Sequence, residues 1–236
     1  MTFSKNDINY VRTYCYENSV LKTALLNSLS STFKEGESFF MKSVTSFLKE
    51  YPEYRERIIS FCKEERVHTE WHMKLNKITD IAYCNNSIEN LQEFTGYLLK
   101  PLYYLPKEYR LLITEYLEYI TYCLCITALQ SDEFRKVDGD TRDVFYAHSL
   151  EETGDNHSSV SRDIYLNKYG NTRKREIFPF IISPALITVI IAYILYLWKT
   201  DSNSKLSDFK DVFNMIGLNS WLFKSSLRIL FTWNKD

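Results

Sequence analysis

Three side chains in the stretch VFYAHSLEETGDNH, residues 144–157, have types and spacing suited to chemistry: His148, Glu152 and Asp155. On a helix that turns about 100° per residue, the offsets i, i+4 and i+7 fall at about 0°, 40° and −20°. All three therefore lie on one narrow stripe. An imidazole and two carboxylates are costly to bury unless something neutralises them, and a bound metal ion is the obvious candidate. A solvated polar face is the plainer alternative.

A second stripe of the same kind strengthens the metal reading. Glu65, His68 and His72 stand at i, i+3 and i+7, with Ile58, Phe61, Cys62 and Leu75 around them. A single His on an apolar face is usually a hydrogen-bonded core residue, but two His and a Glu in register suit metal ligation. The chain has 4 His, at 68, 72, 148 and 157, and all lie in or beside the two stripes. Glu118 adds a carboxylate within RLLITEYLEYITYCLCITAL. Leu111, Leu117, Tyr122 and Cys125 are its helical neighbours and point it inward, where it needs a partner. Glu115 nearby reads equally well as a surface charge.

The elements that must position these groups read as helices. Only 6 Gly and 5 Pro in 236 residues argue for long helices and against a turn-rich β chain. Residues 1–18 read as a short lead-in helix and 21–29 as helical, with Ser30, Ser31 and Thr32 as an N-cap for a helix over 33–51. Glu37 sits at the start of that run, and Pro52 ends it and opens the next. Helices are expected over 53–83, 87–100, 106–135 and 138–167, with Gly154 as a bulge or a break between two helices. Residues 172–175 form a basic linker.

Residues 177–198 carry no charge and have the length of a membrane span. Pro179 and Pro184 lie in the first third, however, so Ser183 is expected to cap a shorter helix, 184–198, buried in the core or in a dimer interface. The tail, 204–236, reads as two short amphipathic helices with Trp221 and Trp233 exposed. One domain, 1–236, accommodates all of this.

The bulk composition excludes some functions. A net charge of −1 gives no electrostatic reason to bind nucleic acid. The 5 Cys form an odd count with no C-x-x-C pair, which suggests reduced thiols in a cytoplasmic chain. The first residues, MTFSKNDINY, lack the apolar core of a signal peptide.

Glu65, His72, Glu118, His148, Glu152 and Asp155 thus form a candidate set of two imidazoles and four carboxylates from three helices. Such a set suits iron or manganese, and a helical bundle with inward Glu and His is how di-iron carboxylate proteins are built. Zinc hydrolysis uses the same residue types. The order Glu65–His72, Glu118, His148–Glu152–Asp155 resembles the haem-oxygenase-like di-metal oxidases. That family most often has His at the last position, so either Asp155 or His157 completes the set here.

The chain also resembles the family of predicted metal-dependent hydrolases through EGESFF (35–40), KEERVHTEWHMKLN (63–76), EYLEYIT (115–121), HSLEETGD (148–155) and DIY (163–165). The word hydrolase in that name implies little about the reaction. Together the resemblances imply an all-α, haem-oxygenase-like bundle with a ferritin-like di-iron site. They imply two Fe(II) ions, with Glu118 and Glu152 as bridges, and O₂ as co-substrate. Glu37, His68 and His157 would orient ligands or touch substrate. The substrate would be small and amino-acid-like, and the most specific expectation is nitrile formation from a halogenated tryptophan. The apolar C-terminal third suggests a homodimer free of membrane. A metal-assisted hydrolase and a non-catalytic helical binding protein are the alternatives.

Overall fold

The computed structural model describes residues 3–155, 158–211 and 221–233. Among them are eight α-helices and no β-strand. They are α1 (Val20–Thr45), α2 (Arg55–Thr79), α3 (Ser87–Leu99), α4 (Lys107–Leu129), α5 (Gly139–Asp155), α6 (Ser158–Tyr169), α7 (Arg173–Thr200) and α8 (Trp221–Thr232). The all-α bundle is consistent with a haem-oxygenase-like fold. Two helices organise the packing: α1 lies against α2, α3, α4 and α7, and α4 lies against α5, α6 and α8.

α1 is one continuous helix where two were expected. The cap is Ser19, whose side chain accepts from the Lys22 N–H. Ser28, Ser31 and Thr32 donate their hydroxyls back to carbonyls three or four residues earlier, so the polar run sits inside the helix without stopping it. Glu37 is consequently a mid-helix residue that points inward.

The lead-in is likewise not a helix. After a 3₁₀ turn, Lys5–Asp7, it runs as a strap over the start of α5. The Asp140 carboxylate accepts from the N–H groups of Asn9 and Tyr10, each at 2.5 Å. The Asp140 N–H donates to the Tyr10 carbonyl at 3.3 Å, and Gly139 turns the chain there at φ 64°. This anchoring fixes the helix that carries His148 and Glu152.

Past α2 the chain makes a π-helical turn, Asp80–Cys84, ended by Asn85 and Asn86, both left-handed. The Asp80 carboxylate then caps α3 by accepting from the N–H groups of Ile88 and Glu89. The main apolar core gathers Phe39, Phe47, Ile58, Phe61, Leu111 and Tyr116 between α1, α2 and α4.

α7 departs most from the sequence reading. It starts at a Thr172 cap and runs through both prolines. Pro179 has no N–H to give to the Arg175 carbonyl, and the Trp233 indole N–H donates to that carbonyl instead, at 3.3 Å. Trp233, expected exposed, is buried against Tyr116 and Tyr119. The Trp221 side chain lies outside the described part. Nor is α7 a core helix. Phe178, Tyr193 and Leu197 are buried, while Phe180 is 73% and Ile181 62% exposed, with Ile177, Ile187, Ile191 and Leu195 also open. α4 and α7 are both long and apolar enough to cross a membrane, but α4 is mostly buried inside the bundle.

Candidate metal centre

Four helices bring the polar stripes together. α1 contributes Glu37, α2 contributes Glu65, His68 and His72, α4 contributes Glu118, and α5 contributes His148 and Glu152. Each of these seven side chains is 2% exposed or less. Within the cluster, three overlapping triads have one ligand atom per residue within 4.8 Å of the others. They are Glu37–His68–His148, Glu65–His68–Glu152 and Glu37–Glu65–Glu118.

The structure brings Glu65, Glu118, His148 and Glu152 into one buried cluster together with Glu37 and His68, which the sequence had placed at the margin. His72 belongs to none of the triads. Along a helix it stands about 10 Å from Glu65, against about 4.5 Å for His68. The side chain of Asp155 and all of His157 lie outside the described part, so the last position of the set is not placed. The Glu65-x₂-His68 pair plus lone Glu residues on α1 and α4 is the pattern of ferritin-like di-metal bundles. α5 departs from it by offering His148-x₃-Glu152.

Each imidazole is held by a specific partner. The His68 Nε2–H donates to the Glu151 carboxylate at 2.9 Å, which turns Nδ1 toward Glu65 Oε2 and Glu152 Oε1, both at 3.7 Å. A carboxylate behind an imidazole in this way raises its basicity and fixes its ring. Nothing in the spacing of the sequence singled out Glu151. Burial opposes a charge on His68, but the hydrogen bonds and negative charges of Glu151, Glu65 and Glu152 prevail, and its pKa rises to about 9. For His72 and His148 burial wins, reinforced by neighbouring imidazoles, and both are held below the usual histidine range.

An aromatic sleeve excludes water from this group. Phe33 stacks on His72 with centroids 4.1 Å apart, and Phe145 meets His72 edge-on at 5.1 Å. His68 stacks on His148 at 4.1 Å.

The donor set fits divalent cations. Four carboxylates within one buried cluster repel each other strongly at low dielectric, and Glu37 Oε2 is buried without a hydrogen bond. Two divalent ions would balance the four negative charges. Oxygen and nitrogen donors with no thiolate favour iron or manganese.

Comparison with known proteins bears directly on this. A sequence model for one family, described as predicted metal-dependent hydrolase, matches residues 2–235. The chain belongs to that family. Its buried His/Glu cluster is the natural seat of the metal dependence that the family description states. No curated protein and no solved structure gives a match.

Proposed function

We propose that this metal-dependent enzyme is a di-iron, O₂-activating oxidase acting on a small amino-acid-like substrate. Nitrile formation from a halogenated tryptophan is the most specific reaction that the resemblance to haem-oxygenase-like oxidases implies. The observation that carries the proposal is the carboxylate-rich cage, in which Glu37 and Glu65 each belong to two triads. Glu37 and Glu65, with His68, which is shared in the same way, would hold the metal together with Glu118 and Glu152, the bridging residues expected from sequence.

When bound, an iron pair supplies the redox chemistry of O₂ reduction. The chain does the rest. Glu151 keeps His68 Nδ1 facing inward, and the Phe33 and Phe145 rings keep solvent from the imidazoles. Hydrolytic zinc sites use the same residue types, and the reactions of the iron and zinc forms separate the two readings.

The test is anaerobic loading with Fe(II), followed by O₂ and a panel of aromatic and aliphatic amino acids, with O₂ uptake and product masses recorded. Substrate-dependent O₂ uptake by the iron form supports the proposal. Hydrolysis by a zinc form with no O₂ uptake by the iron form replaces it with the hydrolase. Failure to bind any metal points to a non-catalytic binding protein.

The same reading includes a homodimer joined through the open face of α7. With roughly 200 Å² for a fully exposed large apolar side chain, six partly exposed residues there offer about 650 Å² per copy. A standard interface needs about 800 Å² per partner. Light scattering of the full chain without detergent should give twice the 28.1 kDa chain mass. A monomer, or a chain that stays in solution only with detergent, refutes the dimer.

A further inference from the structure

Away from the metal ligands, a groove of 320 Å³ runs along the seam between the end of α1 and the first half of α2. Thr45 and Leu48 form one wall, and Ile58, Ile59 and Cys62 form the other, so the lining is nearly all carbon. Ile58 is fully buried, whereas Ile59 is 53% exposed, a large apolar side chain left open at the groove edge. The remaining lining residues are two exposed cations, Lys63 and Arg66.

Among the described residues, neither cationic side chain has a hydrogen-bond or ion-pair partner. The nearby acids on α2 are engaged elsewhere: Glu64 accepts from the Ser60 hydroxyl and Glu70 pairs with Lys5, each at 2.7 Å. Burial pushes the Cys62 thiol up to about 11, and the Arg66 guanidinium is the charge that opposes the rise, which places Arg66 close to the groove floor.

An apolar trough with an unpaired guanidinium and ammonium is complementary to an amphiphile with one anionic head. A guanidinium takes a carboxylate through two parallel N–H bonds, while the apolar body leaves water against Leu48, Ile58 and Ile59. No carboxylate lines the groove, so nothing there receives an ammonium, and a zwitterionic amino acid is a poor fit. Ile58 and Arg66 stand about 12 Å apart along α2, an elongated shape that suits a chain better than a ring. At about 30 Å³ each, the share of one water in the liquid, about ten non-hydrogen atoms fill 320 Å³.

We propose that this groove is a second binding site, for a free medium-chain alkyl carboxylate. The head sits on Arg66 and Lys63, and the chain lies along Ile59, Ile58 and Leu48. The site is separate from the metal centre: Glu65, between Cys62 and Arg66 in the sequence, is turned into the bundle and fully buried. The proposal does not rest on the di-metal reading, and occupancy requires no metal.

Octanoate matches the atom count and is the probe. Titration of the full chain with octanoate below its micelle concentration, followed by isoleucine methyl NMR, should shift Ile58 and Ile59 saturably. A Kd on the order of 0.1–1 mM is expected for a ligand of this size. 1-Octanol and octylammonium at the same concentrations should leave these methyls nearly unmoved. The double variant Lys63→Gln, Arg66→Gln should bind at least about 10-fold more weakly, the usual cost of losing charge-assisted hydrogen bonds. Ile59→Asp, at an exposed position that does not hold the fold together, should abolish binding. Octanol binding as tightly as octanoate shows no recognition of the head and overturns the proposal. Unchanged affinity in the double variant, shifts confined to Ile181, Ile187 and Ile191 on α7, or no shift at all overturns it as well. The titration is run on chelator-treated protein, so its failure and the failure of the di-metal reading are seen separately.

Discussion

Removing the charge of Glu37 should have opposite effects on the metal-free and metal-loaded protein. Glu37 shares a triad with Glu65 and Glu118, with ligand atoms within 4.8 Å. Two unit charges at that separation and an effective dielectric of about 20 repel by about 3.5 kcal/mol. Repulsion from both Glu65 and Glu118 is partly offset in the metal-free state by attraction to His68, whose pKa of about 9 leaves it cationic at pH 7, and by proton sharing. Glu37→Gln keeps the shape and forfeits no hydrogen bond at Oε2, which has none. The expected gain for metal-free protein is thus about 2–4 kcal/mol. For a chain of this length that corresponds to a rise of roughly 5–12 °C in Tm.

Metal affinity should fall at the same time, by more than about 100-fold, because a ligand is lost rather than a partner behind one. A site that costs the fold stability is the signature of function. Scanning calorimetry of chelator-treated wild type and Glu37→Gln, each with and without Mn(II), measures both effects. A variant that is less stable without metal and binds metal as wild type does would refute the reasoning.

Further outcomes follow from features away from the centre. Arg175 donates through two nitrogens to Glu115 Oε1, each at 2.7 Å, with both residues buried and the guanidinium over Trp233. Arg175→Ala should cost about 3–5 kcal/mol in denaturant unfolding, because it leaves a buried carboxylate without its partner, and a loss below about 1 kcal/mol would contradict the assignment. Lys107 and Lys168 hold the exposed Glu50 carboxyl down at about 2. A depressed carboxylate adds stability above its unfolded pKa of about 4.3 and loses it as pH falls through the folded value. Glu50→Gln should therefore be less stable than wild type at pH 7, with the difference closing between pH 4 and 2 on a Tm-against-pH plot; a constant gap across that range would contradict it. Tyr193, buried on the packed face of α7, shares a hydrogen bond with Thr95 at 2.8 Å, so Tyr193→Phe should lower stability by about 1 kcal/mol, and no change in the denaturation midpoint would show that bond to be idle.

Much of this arrangement was legible in the amino-acid sequence. Helical spacing located most helix bodies and the two stripes, and an apolar setting identified Glu118 as inward. The errors have physical causes. Ser30, Ser31 and Thr32 have the composition of a cap, yet a hydroxyl satisfied by a carbonyl in the preceding turn does not end a helix. That misplaced boundary set Glu37 at a helix start, where acidic residues are common. The contact of Ser30 with His72 and Asn76 depends on the packing of α1 on α2, which spacing along the sequence does not give. The charge-free run of α7 looks the same whether its neighbour is the core, a second copy or lipid. Pro179 reads as a break until Trp233, more than fifty residues later, fills the missing hydrogen bond.

Anomalous diffraction at the iron edge from crystals grown anaerobically with Fe(II) tests the central claim most directly. Two peaks about 3.5–4 Å apart, enclosed by the cluster of Glu37, Glu65, His68, Glu118, His148 and Glu152, are the predicted result. An empty cage, or iron bound only at the protein surface, would contradict it.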